Sequence, residues 1–264
     1  MKLIFIKLGG SLITDKDTPG LARVDIIKRI CNEIRVVLER DSGLKVIIGH
    51  GSGSFGHVSA KTNNTINGVF SQKDWDGFIN VWSDARNLNQ IVAEIFIKSG
   101  LNIMSFPPSS SITCNNRVIK TWNIKALKRA LKHNVVPIIY GDVVFDDYIG
   151  GTILSTEELF LYLAKELGPD RILIAGEEHG VYNDYPQNTS LISNITNNNF
   201  NEFQDNIRGS KYTDVTGGMI QKVKTLLEIN HFIPEIQILL FSAFEENSVV
   251  NAFSGKQIGT IIQK

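Results

Sequence analysis

Residues 3–16 read LIFIKLGGSLITDK, a largely apolar run that ends in two glycines, with lysines at positions 7 and 16. The run Leu3–Leu8 has the length and composition of a buried strand. Glycines directly after such a strand let backbone N–H groups approach an anion closely, and Lys7 and Lys16 would neutralise its charge. The segment therefore predicts a strand followed by a phosphate-binding turn. A tight turn flanked by two surface lysines fits the same residues about as well.

Similar apolar runs recur along the chain, with helical patterns between them. Residues 24–40 and 74–99 carry apolar side chains at helical spacing. Ser155 and Glu158 have the spacing of a capping box, which predicts a helix that begins there and ends near Gly168. Strands that alternate with helices predict an α/β fold with a mostly parallel sheet. The predicted strands are Leu3–Leu8, Lys45–Gly49, Val135–Tyr140, Arg171–Ala175, Ile236–Phe241 and Thr260–Gln263.

Composition and charge narrow the class of function. The 264 residues include 27 Lys and Arg and 27 Asp and Glu, so no global field is available to hold nucleic acid or an anionic membrane surface. The first apolar run is too short for a signal-peptide core, and no later run has the length of a membrane span. Cys31 and Cys114 lack metal-type spacing, which fits a reducing compartment. We expect a cytoplasmic protein that binds neither nucleic acid nor membrane.

A second glycine-rich loop follows the second predicted strand. Residues 50–57 read HGSGSFGH and contain a literal G-x-G-x-x-G. A dinucleotide-binding fold has this pattern in its first strand–helix turn, with an acidic residue at the tip of the next strand. Here Asp74 and Asp76 begin a helical segment instead, so the dehydrogenase interpretation is poor. The Walker pattern and the protein-kinase motifs are also absent from the sequence.

Two further segments bear on the site. Residues 213–219 read TDVTGGM and precede an amphipathic stretch with Lys222 near its start, which makes a second phosphate site plausible. The helix end at Gly168-Pro169 also suggests a lobe boundary. Residues 188–206 are rich in asparagine and poor in periodicity, which predicts a loop or flap.

Taken together, these motifs resemble the amino acid kinase superfamily. Within it, the Gly53-Ser54-Phe55-Gly56-His57 sequence and Thr14-Asp15-Lys16 are similar to the isopentenyl phosphate kinases, with the fosfomycin kinases as near relatives. The likeness extends over nearly the whole chain. The motifs that carry it are Lys7-Leu8-Gly9-Gly10-Ser11, residues 53–57, Gly141-Asp142, and Thr216-Gly217-Gly218-Met219 with Lys222.

The resemblance implies a fold, an activity and a separate lobe for each substrate. It implies an open three-layer αβα sandwich that forms a single domain over residues 1–264. Residues 1–168 would form an acceptor-binding lobe and residues 169–264 a nucleotide-binding lobe. The implied reaction is ATP-dependent phosphorylation of isopentenyl phosphate to isopentenyl diphosphate in isoprenoid biosynthesis, by a homodimer. Magnesium would arrive with ATP, since Mg²⁺ commonly keeps waters and uses substrate phosphates, so we expect no protein metal ligand.

The resemblance also implies roles for individual residues. Lys7, Lys16 and Lys222 would surround the transferred phosphoryl group, and His57 would hydrogen-bond the acceptor phosphate. Gly9, Gly10 and Gly53 would supply backbone donors. The nucleotide-binding set is Lys7, Gly9, Gly10, Ser11, Gly53, Gly176, Gly180, Val181, Gly217, Gly218 and Lys222. The acceptor-binding set is Ser52, Gly53, His57, Thr156, Phe78 and Trp82.

The sequence differs from the resembling family at two places, and several alternative interpretations stay open. Ser52 stands where the resembling family has a third consecutive glycine, and residues 175–182 read AGEEHGVY in place of the usual TDVDGVY turn. Phe78 and Trp82 lie on one face of the 74–99 helix, where they would line a hydrocarbon pocket or belong to plain core. A fosfomycin-type phosphonate kinase or another small-acid kinase shares the same anion chemistry. A nucleotide-binding regulator without transfer activity is the alternative of a different class.

Overall fold

The computed structural model of the protein describes residues 2–207 and 218–264, without the side chains at positions 57, 58 and 61. The predicted strands are confirmed, each within one residue of its expected bounds. The strands are β1 (Leu3–Leu8), β2 (Lys45–His50), β3 (Ile103–Ser105), β4 (Ile112–Asn115), β5 (Val118–Trp122), β6 (Val136–Tyr140), β7 (Asp142–Asp146), β8 (Gly150–Leu154), β9 (Arg171–Gly176), β10 (Val181–Tyr182), β11 (Leu191–Ile192), β12 (Asn194–Ile195), β13 (Gln237–Ser242) and β14 (Gly259–Ile262).

The helices follow the predicted caps and periodicity. Ser71 caps the long helix predicted near residues 74–99, and Ser155 caps the next one through the capping box seen in the sequence. Gly168 ends that helix in the left-handed conformation that favours glycine. The helices are α1 (Gly10–Ile13), α2 (Val24–Arg40), α3 (Gly53–Asn63), α4 (Gln72–Lys98), α5 (Lys125–Lys132), α6 (Thr156–Leu167), α7 (Phe200–Phe203), α8 (Gly218–Phe232) and α9 (Ser248–Phe253), with 3-10 turns at Thr65–Asn67 and Pro108–Ser110.

The main sheet is the scaffold for the site. Within the described residues it has the strand order β12-β14-β13-β9-β1-β2-β6-β3. Neighbouring strands are parallel except β13 and β14, which are antiparallel. Because the central strands run in the same direction, the loops that follow β1, β2, β9 and β13 meet at one edge. That carboxyl edge is where open α/β sheets bind ligands.

Helices cover both faces of this sheet, so the layers are helix, sheet and helix. Successive residues of β1 point to opposite sides, with Phe5 in one core and Ile6 in the other. Helices α5, α6 and α8 pack on the Phe5 side, and α2, α4 and α9 pack on the Ile6 side. The predicted three-layer αβα sandwich is therefore confirmed.

A smaller sheet and a hairpin lie beside the main sheet and were not predicted. The sheet has the order β5-β4-β7-β8, and β10 pairs with β11. Behind β7 and β8 lies a satellite apolar cluster built around Phe78 and Val81 of α4, Val143 of β7 and Ile153 of β8. The strands of the smaller sheet and of the hairpin are short and only partly apolar, so the sequence pattern gives little sign of them.

Two expectations about loops are only partly confirmed. The 188–206 stretch contains β11, β12 and α7, and β12 extends the main sheet by pairing with β14. Ile192, Ile195 and Phe200 are buried there, but the apolar segments are too short to show a period. The second glycine-rich stretch becomes the start of α3 from Gly53 onward. Across the described ranges, 2–207 and 218–264, we find no helix with the length and apolarity that membrane crossing requires.

Candidate active site

A cavity of about 960 Å³ opens at the carboxyl edge of the main sheet. Its walls come from the loops after β1, β2 and β9, from the last part of β13, and from the starts of α3, α6 and α8. This volume lies at the upper end of the range for small-molecule sites. The predicted site residues that line it are Lys7, Gly9, Gly10, Ser11, Lys16, Ser52, Gly53, Thr156, Gly176, Gly180, Gly218 and Lys222.

The first two glycine loops pack against each other backbone to backbone. A Cβ added at Gly10 would lie 2.4 Å from the nitrogen of Gly53, and a Cβ at Gly53 would lie 2.2 Å from Oγ1 of Thr14. Thr14 joins the loops, since its hydroxyl donates to Gly10 O at 2.8 Å and accepts from Ser54 N at 3.0 Å. Glycine is therefore required at both positions by the close approach of the two loops.

Gly9 serves a different purpose from the one expected of it. Its N–H donates to the carbonyl of Ala175 at 2.8 Å, and a Cβ at Gly9 would lie 3.1 Å from that oxygen. The expectation that Gly9 supplies a donor to the ligand is therefore not met in this structure. Gly9 instead lets the loop after β1 run closely along the end of β9.

A buried ion pair lies at the base of the cavity. Lys7, on β1, contacts Oε2 of Glu157 in the first turn of α6, and both residues are buried. Burial by itself would raise the pKa of Glu157, but the charges of Lys7 and Lys222 outweigh it and hold that pKa below its ordinary value. The three groups thus form a cluster of two cations and one anion on the cavity wall.

Glu157 is absent from the predicted site, yet the sequence carries a signal for it. It lies three residues before Phe160 on the buried face of α6. A glutamate is seldom buried unless it is paired. A charged residue on the apolar face of a capped helix at the carboxyl edge of a parallel sheet therefore indicates an inward-facing partner for a cation.

Lys16 makes a second, more exposed ion pair. Its ammonium group contacts Oε2 of Glu177, which directly follows β9, and each side chain is about a quarter exposed. Glu177 also faces Arg23, whose Nη1 lies 3.6 Å from Oε1. The loops after β1 and β9 are thus joined by charge at the mouth of the cavity.

Beneath the second glycine loop lies a buried polar network. His50 contacts Asn89 through Nε2 at 3.3 Å and its own neighbour Gly51 through Nδ1 at 3.0 Å, and its ring stacks on Tyr140. Burial lowers the pKa of His50, and Lys7 lowers it further. Thr156, predicted to bind the acceptor, donates its hydroxyl to His50 O at 2.7 Å. The visible role of Thr156 is to tie α6 to β2 while it lines the cavity.

Asp142 carries a buried carboxylate on β7, next to the cavity-lining Gly141. It accepts from the N–H of Val143 at 2.9 Å and from that of Ser109 at 3.3 Å. Burial raises the pKa of Asp142 to about 6, since these bonds only partly offset the loss of water.

Other predicted residues lie away from the cavity or outside the described part. Val181 is buried beneath it and donates its N–H to Thr260 Oγ1 at 2.8 Å. Phe78 is buried in the satellite cluster and Trp82 packs against it, so neither is among the described lining residues. Ile153 connects the two regions, since it lies in the cluster and also lines the cavity. Gly217 and the side chain of His57 fall outside the described residues.

The turn after β9 and the hairpin that follows form one wall of the cavity. Gly180 packs tightly, since an added Cβ would lie 2.4 Å from Thr260 Oγ1. Tyr182, Tyr185 and Pro186 add flat apolar surface to the lining. In residues 2–207 and 218–264, no group of three or more His, Cys, Asp and Glu residues is placed to hold a metal ion.

Comparisons with known proteins agree with this architecture. Residues 2–234 match the amino acid kinase family. The chain is 32% identical to an isopentenyl phosphate kinase of Methanocaldococcus jannaschii, over 98% of both chains. It is 29% identical to an isopentenyl phosphate kinase of Methanothermobacter thermautotrophicus, over 97% of both chains.

A solved structure gives the same result in three dimensions. An X-ray structure of isopentenyl phosphate kinase superimposes on this chain with a TM-score of 0.82 at 26% identity, over 99% of this chain and 100% of the other. The resemblance inferred from the glycine loops and lysines is thereby confirmed. The chain belongs to the amino acid kinase family.

Proposed function

We propose that this chain transfers the γ-phosphoryl group of ATP to isopentenyl phosphate, which yields isopentenyl diphosphate and ADP for isoprenoid biosynthesis. The observation that carries the proposal is the placement of Lys7, Lys16 and Lys222 around a single cavity walled by glycine loops. Full-length relatives named isopentenyl phosphate kinase support the choice of acceptor.

Phosphoryl transfer requires the protein to align the reactants and stabilise charge, and it requires no covalent intermediate with the protein. Phosphoryl transfer proceeds mainly by positioning the two anions and stabilising charge on the transferred group. The second pKa of an acceptor phosphate is near 6, so its attacking oxygen is mostly deprotonated at neutral pH and needs no general base. Lys7, Lys16 and Lys222 would bind the phosphoryl oxygens, and the N–H groups of the glycine loops would orient them.

Magnesium would enter with ATP. The described carboxylates that line the cavity near the lysines, Glu157 and Glu177, are each paired with a lysine. This arrangement fits an ion held by nucleotide phosphates and water better than one held by a protein cage. Bound magnesium would neutralise part of the charge that develops during transfer.

The division into two lobes follows the order of strands in the sheet. The strands that precede residue 168 (β1, β2, β6 and β3) form one half of the main sheet, and the later strands form the other half. We assign residues 1–168 to the acceptor and residues 169–264 to ATP. The phosphoryl group would then cross between the ends of β1 and β9, where the halves meet.

The acceptor would lie against α3 and α4. His57, within α3, would donate to a nonbridging oxygen of the acceptor phosphate. The hydrocarbon tail would point toward Ile153 and the satellite cluster that holds Phe78 and Trp82. We further propose a homodimer that works in the cytoplasm.

The fosfomycin-kinase and regulator alternatives receive less support. Both would use the same anion site, but the relatives that cover nearly the whole chain are named isopentenyl phosphate kinases. A nucleotide sensor without transfer activity would also have no use for a lysine cluster that extends from the nucleotide side to the acceptor side.

A substrate panel with purified protein and Mg·ATP tests the proposal. We expect isopentenyl phosphate to give the highest kcat/KM, above fosfomycin, amino acids, mevalonate derivatives and free isopentenol. Isopentenol should fail because it lacks both the bound anion and a deprotonated oxygen. If fosfomycin or an amino acid gave the higher kcat/KM, the acceptor assignment would be wrong while the kinase assignment would stand. Absence of ADP formation with every acceptor would favour the regulator.

A further inference from the structure

The turn after β9 departs from the pattern of the resembling family, and its first acidic residue faces the first glycine loop. We propose that Glu177 is a positioning residue for Lys16: it holds the ammonium group at the cavity mouth, while Arg23 keeps the carboxylate in place. This inference rests on the proposed kinase function, in which Lys16 contacts the transferred phosphoryl group.

Glu177 is fixed through both its side chain and its backbone. One carboxylate oxygen contacts Lys16 Nζ, and the other lies 3.6 Å from Nη1 of Arg23. Its carbonyl accepts a hydrogen bond from Ser242 Oγ at 3.0 Å. The backbone of Glu177 is therefore held against β13, while its carboxylate lies between Lys16 and Arg23.

Arg23 is itself held from several directions. Its Nη1 donates to Ser11 O at 3.2 Å, and its Nη2 lies 3.9 Å from Oδ2 of Asp15. The guanidinium stands 5.4 Å from the ring centre of Phe244, within reach of a cation–π contact. Because Arg23 is anchored in this way, Glu177 keeps a cationic partner when Lys16 moves onto a phosphate.

The charge arrangement explains why a carboxylate is tolerated at a site for polyanions. An unpaired glutamate on the cavity wall would repel ATP and the acceptor phosphate. Here Lys16 and Arg23 bracket the carboxylate and neutralise it. The pair is partly exposed, so its net strength is modest and Lys16 can exchange to a doubly charged phosphate without a large loss.

Position matters for Lys16 because it lies on a loop rather than on a strand. Residue 16 follows α1, whereas Lys7 is held within β1. Misplacing a catalytic group by about 1 Å can lower a rate by on the order of a hundredfold. The contact with Glu177 restricts the long lysine side chain to the side of the loop that faces the cavity.

A double-mutant cycle between Glu177 and Lys16 tests the proposal, with kcat and KM measured for Mg·ATP and isopentenyl phosphate. We expect Glu177→Gln to lower kcat by about tenfold, which is part of the loss expected from misplacement. The KM for Mg·ATP and the melting temperature should stay near wild type. In a Lys16→Met background, Glu177→Gln should cause no further loss. Glu177→Asp should recover part of the lost kcat because it keeps the charge.

Two matched variants distinguish the loss of the Glu177–Lys16 contact from the mere loss of a negative charge. Glu178→Gln removes the same charge from the neighbouring residue, which accepts from Asn188 Nδ2 at 3.4 Å, and it should lower kcat less than Glu177→Gln. Glu39→Gln breaks an exposed pair with Arg35 on α2 and should leave kcat unchanged.

The outcomes separate failure of this inference from failure of the proposed function. If wild-type protein turns over isopentenyl phosphate but Glu177→Gln keeps full kcat, the inference is wrong and the kinase assignment stands. The inference is equally wrong if Glu177→Gln gives the same fold loss with and without Lys16, or if Glu178→Gln matches it. A wild-type protein that transfers no phosphoryl group to any acceptor contradicts the proposed function, and the inference with it.

Discussion

Two lysine–glutamate pairs face the same cavity and differ chiefly in burial. The side chains of Lys7 and Glu157 are 9% and 6% exposed, whereas those of Lys16 and Glu177 are 25% and 27% exposed. Lys7 lies on the central strand, and Glu157 is in the first turn of a capped helix. Lys16 and Glu177 both lie on loops, the first after α1 and the second after β9.

The difference in burial predicts different roles. A buried charge that loses its partner is strongly unfavourable, so Lys7 and Glu157 are confined to one arrangement. A partly exposed pair is screened by water, so its partners can separate at little cost. We therefore expect the inner pair to support both folding and the charge balance of the site, and the outer pair to affect mainly turnover.

We expect the largest effect on stability and turnover from removing the carboxylate of Glu157, the anion of the inner pair. Glu157→Ala leaves Lys7 buried without its counter-ion and close to the charge of Lys222. Loss of one partner of a buried pair destabilises by about 3–5 kcal/mol. Chemical denaturation should show this loss, and kinase turnover should fall with it.

Two variants serve as controls for that measurement. Glu157→Asp keeps the charge and should retain part of the stability, while Glu39→Gln breaks an exposed pair and should leave the denaturation midpoint unchanged. An unchanged midpoint for Glu157→Ala would mean that burial does not distinguish the two cavity pairs.

A third carboxylate sharpens the comparison through pH. Asp142 is buried, and the described partners of its carboxylate are two N–H groups and the side chain of Ser109, none of which is a cation. Burial raises its pKa from 3.8 to about 6. Between these values the folded state holds a proton that the unfolded state has released, so stability attributable to Asp142 falls as pH rises from about 4 to about 6. The shift corresponds to roughly 3 kcal/mol.

The measurement compares wild type with Asp142→Asn across that pH range. The free energy of unfolding of Asp142→Asn should not show this decrease, so the variant should become more stable relative to wild type as pH rises. Glu157 should affect the pH dependence of stability in the opposite direction. Its pKa is lowered, so the stability that its charge contributes is lost as pH falls below about 4.5. Parallel pH curves for wild type and Asp142→Asn would contradict the raised pKa of Asp142.

The next effect concerns the other two lysines that line the cavity, Lys16 and Lys222. Replacing Lys16 or Lys222 by methionine should lower kcat by roughly a hundredfold, the scale of losing one preorganised electrostatic contact. Folding should survive in Lys16→Met because its pair is partly exposed. The test combines steady-state kinetics with a thermal melt, and normal turnover in either variant would identify that lysine as a solvated surface charge.

The smallest effect is expected at the acceptor end. His57→Ala should lower kcat/KM for isopentenyl phosphate by about tenfold, the scale of one hydrogen bond to a charged group. The KM for Mg·ATP should not change, because the proposed hydrogen bond reaches only the acceptor. Asparagine or glutamine at position 57 should retain part of the activity as neutral donors. If acceptor kinetics stay unchanged in His57→Ala, the residue does not belong to the site.

The sequence by itself determined the main sheet, the principal helices and most of the phosphate-facing wall. Six buried strands and the capped helix after Ser155 were evident because period, apolar run length and capping depend on neighbours within a few residues. The glycine turns were evident for the same reason, and Lys7, Lys16 and Lys222 adjoin them.

Only the tertiary structure decided which groups meet. The partners of Lys7 and Lys16 are Glu157 and Glu177, each far away along the chain. The first contact depends on α6 starting at the end of β2, and the second on β9 lying beside β1. The same packing directs the N–H of Gly9 to Ala175. Packing of α4 against β7 and β8 places Phe78 in a satellite cluster rather than on the cavity wall. Local patterns report how a segment folds, whereas ion pairs and cavity walls are set by distances between segments, which no single stretch of sequence contains.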